Sequence, residues 1–374
     1  MTKQRIIVTV TNDLVTDQRV HKVCMFLHER GHDVLLVGRK RKMSPDIDVR
    51  PYLTRRMKLL FEKGALFYAA FNLRLFFFLL FSKFDLVVAN DLDTLLACYR
   101  ASKFRGKKLV YDSHEYFTEV PELIHRPRVQ KFWEGIEKRI FPKLQVISTV
   151  NESIAGLYEK KYGKNLFVVR NIPPLRQLKK TKTRSDLGLP EDKKILIIQG
   201  AGINIHRGNE EMVSAMKYLD GFLLLICGDG DVVPQLKDMV VRDQLNDRVN
   251  FYSRMPYSEL MEFTQNADMG ITLDKANNIN YKFSLPNKLF DFIHAGIPVL
   301  SSDLPEVGKI VREHCVGVIT ATHDPEKIAA LIRQTFSDDI QMETFRENCK
   351  RATQSLTWEN ECKVLDKMYS EFDA

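Results

Sequence analysis

At 374 residues the chain is long enough for two domains. Its 44% hydrophobic and 28% charged content is that of an ordinary globular protein, without a low-complexity tract or short repeat. Six cysteines, none in CxxC spacing, exclude a disulfide framework or zinc site and point to free thiols in a reducing compartment. The net charge of +8 is uneven: residues 1–173 hold 31 Lys+Arg against 18 Asp+Glu, a net +13, and the remainder is a net −5. One half therefore either faces something anionic (a phospholipid surface, a phosphate-bearing substrate, nucleic acid) or carries a solvated basic face.

The N-terminus, MTKQRIIVTV, leads directly into an apolar β-like run with no h-region or cleavage site, so a cytoplasmic location is the expectation. In the first half RIIVTVT (5–11), DVLLVGR (33–39), DLVVAND (85–91), KKLVYDS (107–113), QVISTV (145–150) and NLFVVRN (165–171) read as strands. Helical patterns lie between them. In Gln18–Arg30, Val20, Val23, Cys24 and Leu27 fall on one face, and Gly31 ends the run. Short apolar runs separated by helices mark buried parallel strands in βαβ units.

The segment 55–84, RRMKLLFEKGALFYAAFNLRLFFFLLFSKF, is both basic and strongly apolar. Asn72 and Arg74 interrupt it and its longest apolar run, Leu75–Phe81, is far short of a bilayer span. Two readings remain open. One is a helix lying on the membrane interface, with Arg55, Arg56, Lys58 and Lys83 on headgroups. The other is an ordinary core helix with a strand lead-in. The nearby RKRK (39–42) favours the membrane.

After NIPPLRQLKKTKTRSDLGLPEDKK, a Pro-Pro and basic linker, the strand series restarts. It runs KILIIQG (194–200), FLLLICGDG (222–230), VNFYSR (249–254), MGITLD (269–274), PVLSS (298–302) and VGVIT (316–320). The expected fold is α/β, with two Rossmann-like doubly wound domains facing each other across a cleft: 1–173 and 174–354. Ligands of such sheets sit at strand carboxyl ends.

Within the second series, SLPNKLFDFIHAGIPV has the signals of a helix. Ser284 is placed to N-cap it, Pro286 suits the first turn, and Gly296 with Pro298 stops it. Leu289, Phe292 and Ile293 form a buried face, while Asn287 and Asp291 share another. A helix N-terminus offers N–H groups to a phosphate, and a carboxylate one turn in can accept from a ribose diol.

LPNKLFDFIHAGIPVLSSDLPEV resembles the donor-site motif of the family 4 glycosyltransferases (glycosyl transferases group 1), which have the GT-B fold. HRGNEEMVSAMKYL (206–219), CGDGDVVPQL (227–236), VNFYSRMPYSELMEFTQNADMGITL (249–273), YDSHEYF (111–117) and LTWENE (356–361) extend the resemblance over most of the chain. It implies a transferase that retains anomeric configuration and moves a sugar from a nucleotide-diphosphate sugar, without metal or other cofactor, to a lipid-linked or polysaccharide acceptor. Arg207 matches the basic residue before glycine that stabilises the leaving diphosphate, and Lys288 stands where a second cation is useful. Asp291 matches the ribose-binding acid. Ser284, Asn287, Gly202 and Gly228 belong to the same donor site, and Arg254 and Met255 to the nucleobase region. His114 matches the histidine beside the donor sugar. A final helix, about 355–374, is implied to return to the first domain.

Three departures stand out. The family's first acid, eight residues before Asp291, is Phe283, so Asn278, Asn280 or Tyr281 is left to meet sugar hydroxyls. Gly200-Ala201 replaces the usual Gly-Arg. The loop TNDLVTDQRVHK lacks the family's Gly-Gly, so Asp13, Asp17, Arg19 and Lys22 offer side chains to an acceptor or form a solvated loop. Glu115 and Asp91 join this acceptor side. Asp91-Leu92-Asp93 imitates a metal-binding DxD but is read as strand-end polar residues, and Gly228-Asp229-Gly230 is too short for a dinucleotide fingerprint. Transfer at the inner face of the membrane is the expectation, with the basic apolar segment as the contact. The alternatives are a sugar-nucleotide epimerase of the same fold and, behind it, a nucleic-acid-binding protein, whose interleaved exposed aromatics are missing.

Overall fold

A computed structural model describes residues 3–15, 17–175 and 180–372. The chain divides into two compact units, Met1–Asn171 with Glu361–Ala374, and Ile172–Asn360. Each is built on one parallel sheet.

The first unit contains β1 (Arg5–Asp13), β2 (Asp33–Lys40), β3 (Leu53–Lys58), β4 (Leu86–Asn90), β5 (Lys108–Ser113), β6 (Val146–Thr149) and β7 (Phe167–Val168), in the order β3-β2-β1-β4-β5-β6-β7. Every pairing is parallel. Helices α1 (Gln18–Glu29), α2 (Gly64–Phe81) and α3 (Leu92–Arg105) follow β1, β3 and β4. The central strands are apolar on both sides (Ile6, Ile7, Val8, Val87 and Val88 are all buried), because helices cover both faces of such a sheet.

The second unit contains β8 (Lys194–Gly200), β9 (Phe222–Gly228), β10 (Val249–Tyr252), β11 (Met269–Thr272), β12 (Val299–Ser302) and β13 (Gly317–Thr320), in the order β10-β9-β8-β11-β12-β13. Its two faces carry separate cores. One is lined by Leu196, Ile198, Leu224 and Ile226, the other by Ile195, Ile197, Leu223 and Leu225, the alternation a strand's two-residue period imposes.

In each sheet the strand order reverses once, between β1 and β4 and between β8 and β11, while the strands stay parallel. These reversals open a crevice at the strand carboxyl ends, and both clusters described below lie there.

All twelve expected strands occur, mostly a residue or two shorter. One strand was missed: β3 is an edge strand in which only Met57 is buried, and edge strands carry charge rather than a continuous apolar run. It takes up the start of the segment 55–84, so the helix begins only at Gly64. The helix expected from Ser284 starts at Asn287 and runs to His294. Pro286 holds the cap position in extended backbone, φ −72°, and contributes no side-chain cap. The terminal helix Trp358–Ser370 lays Tyr369 on Phe26 with ring centroids 6.1 Å apart. Its Asp366 pairs with Arg30 at 2.7 Å and its Glu361 with Arg170 at 2.6 Å. The six cysteines are unbridged.

Candidate functional site

In the second unit the loop after β8 carries Arg207. Gly208 has φ +71°, and a Cβ there would come within 2.2 Å of the Leu273 carbonyl oxygen. Only glycine lets this turn press so close to the end of β11. The close approach sets Arg207 beside Asp274, which is 1% exposed. The Arg207 Nη1 donates to Asp274 Oδ2 at 2.5 Å, and the Lys288 Nζ lies 4.0 Å from Asp274 Oδ1. Ser284 Oγ donates to the same carboxylate at 3.2 Å, which is why Ser284 is not the cap expected of it. Burial pushes the Lys288 ammonium below its ordinary pKa, with Asp274 acting to raise it and Arg207 to lower it further.

Asp291 sits one turn into the helix. Tyr257 Oη donates to its Oδ1 at 2.8 Å and Gln199 Nε2 to its Oδ2 at 3.3 Å. Gln199 is itself fixed by Thr264, whose hydroxyl donates to Gln199 Oε1 at 2.7 Å. Asn287, Arg254 and Gly202 are exposed, and Met255 is half-buried against the core. Gly228 serves the loops themselves: a Cβ on it would meet the Gly200 carbonyl oxygen at 1.9 Å. Among the residues proposed to replace the first acid, Asn278 caps a short helical turn by accepting from Tyr281 N at 2.8 Å. Tyr281 lays its ring 4.2 Å from the Arg207 guanidinium carbon, and Asn280 is buried.

A second cluster occupies the β1/β4 crevice of the first unit. The Arg19 Nε and Nη2 donate to Asp112 at 3.1 and 2.9 Å, and its Nη1 to the Val169 carbonyl at 2.6 Å. All three donor nitrogens point inward, so Arg19 is a buried brace rather than a side chain offered to an acceptor. Asp17 N-caps α1, accepting from Val20 N at 3.1 Å, which again ties it to the fold. His114 has both ring nitrogens engaged, Nδ1 at 3.3 Å from Asp91 and Nε2 at 3.1 Å from Asp112. Burial works to lower its pKa, but these two carboxylates prevail and raise it to about 9. It is therefore a clamped imidazolium, not a free base.

Asp91 adopts φ +60° and ψ 165°, a backbone conformation few residues other than glycine tolerate, and such strain gathers at functional sites. It accepts from the His114 N–H at 2.8 Å. Asp93 turns elsewhere, to the Thr11 hydroxyl at 2.5 Å, so the two acids of the DxD sequence have different partners. Burial, then the charge of Asp91, raises Asp93 to about 7; burial with Asp91 and Glu122 raises Glu115 to about 8. Asp274, Tyr257 and Gln199 were not foreseen from the sequence. The one available signal was MGITLDKANN, a strand ending on an acid.

The family model for glycosyl transferases group 1 matches residues 179–353, and that for glycosyltransferase family 4 matches residues 17–172. The chitobiosyldiphosphodolichol beta-mannosyltransferase of Candida albicans is 25% identical over 150 residues, which is 39% of this chain and 32% of that protein. The chain thus spans about a third of the length of this curated relative. The sucrose-phosphate synthase of Thermosynechococcus elongatus superposes with a TM-score of 0.80 at 17% identity, over 99% of both chains. HepE of Anabaena, solved in complex with UDP-glucose, gives 0.73 at 14% identity over 99% of both. These likenesses establish the GT-B fold. With one family model on each unit and nearly the whole length matched, the chain belongs to the family 4, group 1 glycosyltransferases.

Proposed function

We propose that the protein transfers a sugar from a nucleoside-diphosphate sugar to an acceptor hydroxyl, with retention of anomeric configuration. The observation that carries this reading is the convergence of Arg207 and Lys288, from two separate elements, on the β8/β11 crevice. In it, the C1–oxygen bond to the diphosphate breaks and a bond from C1 to the acceptor oxygen forms on the same face. The acceptor proton passes to the departing phosphate oxygen. Arg207 and Lys288 neutralise the charge that accumulates on the diphosphate, and these side chains supply the positive charge without a metal ion. Asp291, oriented by Tyr257 and Gln199, accepts from the ribose diol. That HepE is solved with UDP-glucose and the Candida relative is named for a dolichol-linked acceptor supports a sugar nucleotide and a lipid-linked acceptor here.

The ribose assignment has a direct test. Asp291→Ala weakens binding of UDP, or of whichever of GDP and ADP binds best, by about tenfold, as loss of a charge-assisted hydrogen bond implies. It also removes any preference for the ribonucleotide over its 2′,3′-dideoxy analogue. Calorimetry showing that preference intact overturns the assignment. Release of an epimerised sugar nucleotide without any acceptor overturns transfer itself.

The same reading places the protein at the cytoplasmic face of a membrane, through α2. Its inner face, Phe67, Phe71, Leu75 and Leu79, is buried, and Asn72 Nδ2 donates to the Asp93 carbonyl at 2.7 Å. Its outer side leaves Leu66, Leu73, Phe77 and Phe81 exposed, with Phe104 of α3 78% exposed. By length and composition α2 could cross a bilayer, but these inner contacts hold it on the first unit, as an interfacial helix requires. Lys58, Lys63 and Lys83 are exposed around it, suiting anionic headgroups. Phe77→Asp with Phe81→Asp is expected to reduce co-sedimentation with phosphatidylglycerol vesicles about tenfold or more, given the apolar area withdrawn. Nucleotide affinity stays unchanged. Equal vesicle binding by both proteins refutes the contact.

A further inference from the structure

We infer that Asp274 is a positioning residue of the diphosphate site, a buried counter-ion that fixes one edge of Arg207 and keeps the neighbouring Lys288 charged. The inference rests on the donor reading above and assigns a role to a residue outside the family motif.

Four observations carry it. First, Asp274 is buried, yet its Oδ1 has no hydrogen-bond partner among the described residues; its neighbour there is the Lys288 Nζ at 4.0 Å. Second, Arg207 is held on one edge and one face. Its Nη1 is bound to Asp274 and its plane is covered by Tyr281, while its Nε is buried without a partner. The part of the side chain that stays exposed, 23% of it, is what an incoming anion meets. Third, the Arg207 loop is strapped in place. His206 takes φ +67°, its carbonyl accepts from Lys275 N at 3.0 Å, and Lys275 pairs with Glu211. Such backbone strain persists only where its surroundings over-determine it. Fourth, the topology makes the meeting possible, since Arg207 follows β8, Asp274 follows β11, and these strands are neighbours across the sheet's reversal.

The physical need is plain. Two cations gathered for a diphosphate repel one another before it arrives, and burial works against the ammonium far more than against the guanidinium. Asp274 and Arg207 are the charged groups bearing on Lys288, and Asp274 alone favours its charged form. Removing that carboxylate lets Lys288 give up its proton at lower pH, and the site then loses a cation in a pH range where the wild type keeps it.

The test reads UDP affinity by calorimetry at pH 7 and at about pH 9.5, in wild type, Asp274→Asn and the double variant Asp274→Asn/Lys288→Arg. GDP, ADP and dTDP are screened on the wild type first, and the tightest replaces UDP. The ratio of the two dissociation constants is the quantity of interest, because changes in the nucleotide's own charge cancel between proteins. In Asp274→Asn the alkaline weakening should be about tenfold larger than in the wild type, the effect of a shift of one unit in Lys288. The double variant should return it to the wild-type ratio or below, since a guanidinium does not titrate there. A merely structural role for Asp274 predicts no rescue by Lys288→Arg. Equal ratios in all three proteins overturn the inference and leave the donor reading standing. Failure of the wild type to bind any of the four diphosphates overturns the donor reading instead. Asp274→Ser provides a second charge-free variant, and unfolding of both would overturn the assignment by making Asp274 a requirement of the fold.

Discussion

Arg207→Ala weakens nucleoside-diphosphate binding by about tenfold to a hundredfold, the range of a hydrogen bond to a charged group. Loss of turnover is greater, because charge on the diphosphate grows as the sugar leaves and Arg207 meets it most strongly then. The same change leaves the Asp274 carboxylate, 1% exposed, with Ser284 and the more distant Lys288 as partners. It therefore also lowers stability, by about 1–3 kcal/mol for an under-satisfied buried acceptor. The two effects separate with Arg207→Lys, which restores a charge for Asp274 but not the planar fork. Stability should recover more than affinity does. Urea unfolding and calorimetry on the two variants check this, and wild-type affinity in Arg207→Ala would refute the site.

How much of this was legible follows from how far each feature reaches along the chain. The buried strands were legible because their signal is local: RIIVTV, KILIIQG and FLLLICG are apolar throughout, as strands covered on both faces must be. Arg207 and Asp291 were legible through the family motif. Arg19 was not, because a buried arginine is recognisable only by its partner, and Asp112 lies 93 positions away. Ser284 looked like a cap because Ser, Thr, Asp and Asn usually are. Its hydroxyl goes instead to Asp274, ten residues earlier. Asp274 itself carries only the local mark of an acid at a strand end. Its meaning comes from β8 and β11 lying side by side, and adjacency across a reversal is what sequence order conceals.

The largest loss of stability is expected for Asp112→Ala. Asp112 is 5% exposed and accepts from Arg19 twice, from Ser148 Oγ at 2.8 Å and from His114 Nε2 at 3.1 Å. Burial alone would raise its carboxyl, but Arg19 and His114 hold it far below the usual carboxylate range. Its removal leaves a guanidinium and an imidazolium side by side with Asp91 as the nearest counter-charge, and breaking such a buried pair costs about 3–5 kcal/mol. Arg19→Ala should cost less, since His114 still pairs with Asp112. The pH dependence gives an independent check. His114, raised to about 9, lends stability that is full below its ordinary 6.5 and lost as pH rises toward 9. Glu115 and Asp93, raised to about 8 and about 7, act in the same direction, because each binds its proton more tightly folded than unfolded. Asp112 acts oppositely, its contribution fading only as pH falls below its ordinary 3.8. With respect to these four groups the wild type is thus expected to be most stable in acid just above pH 3.8 and to weaken from there to about pH 9, as Asp93, Glu115 and lastly His114 give up their protons. In Asp112→Ala that alkaline weakening shrinks, because the carboxylate that held the His114 proton is gone. Parallel pH profiles of unfolding free energy in the two proteins would show that His114 is not held through Asp112.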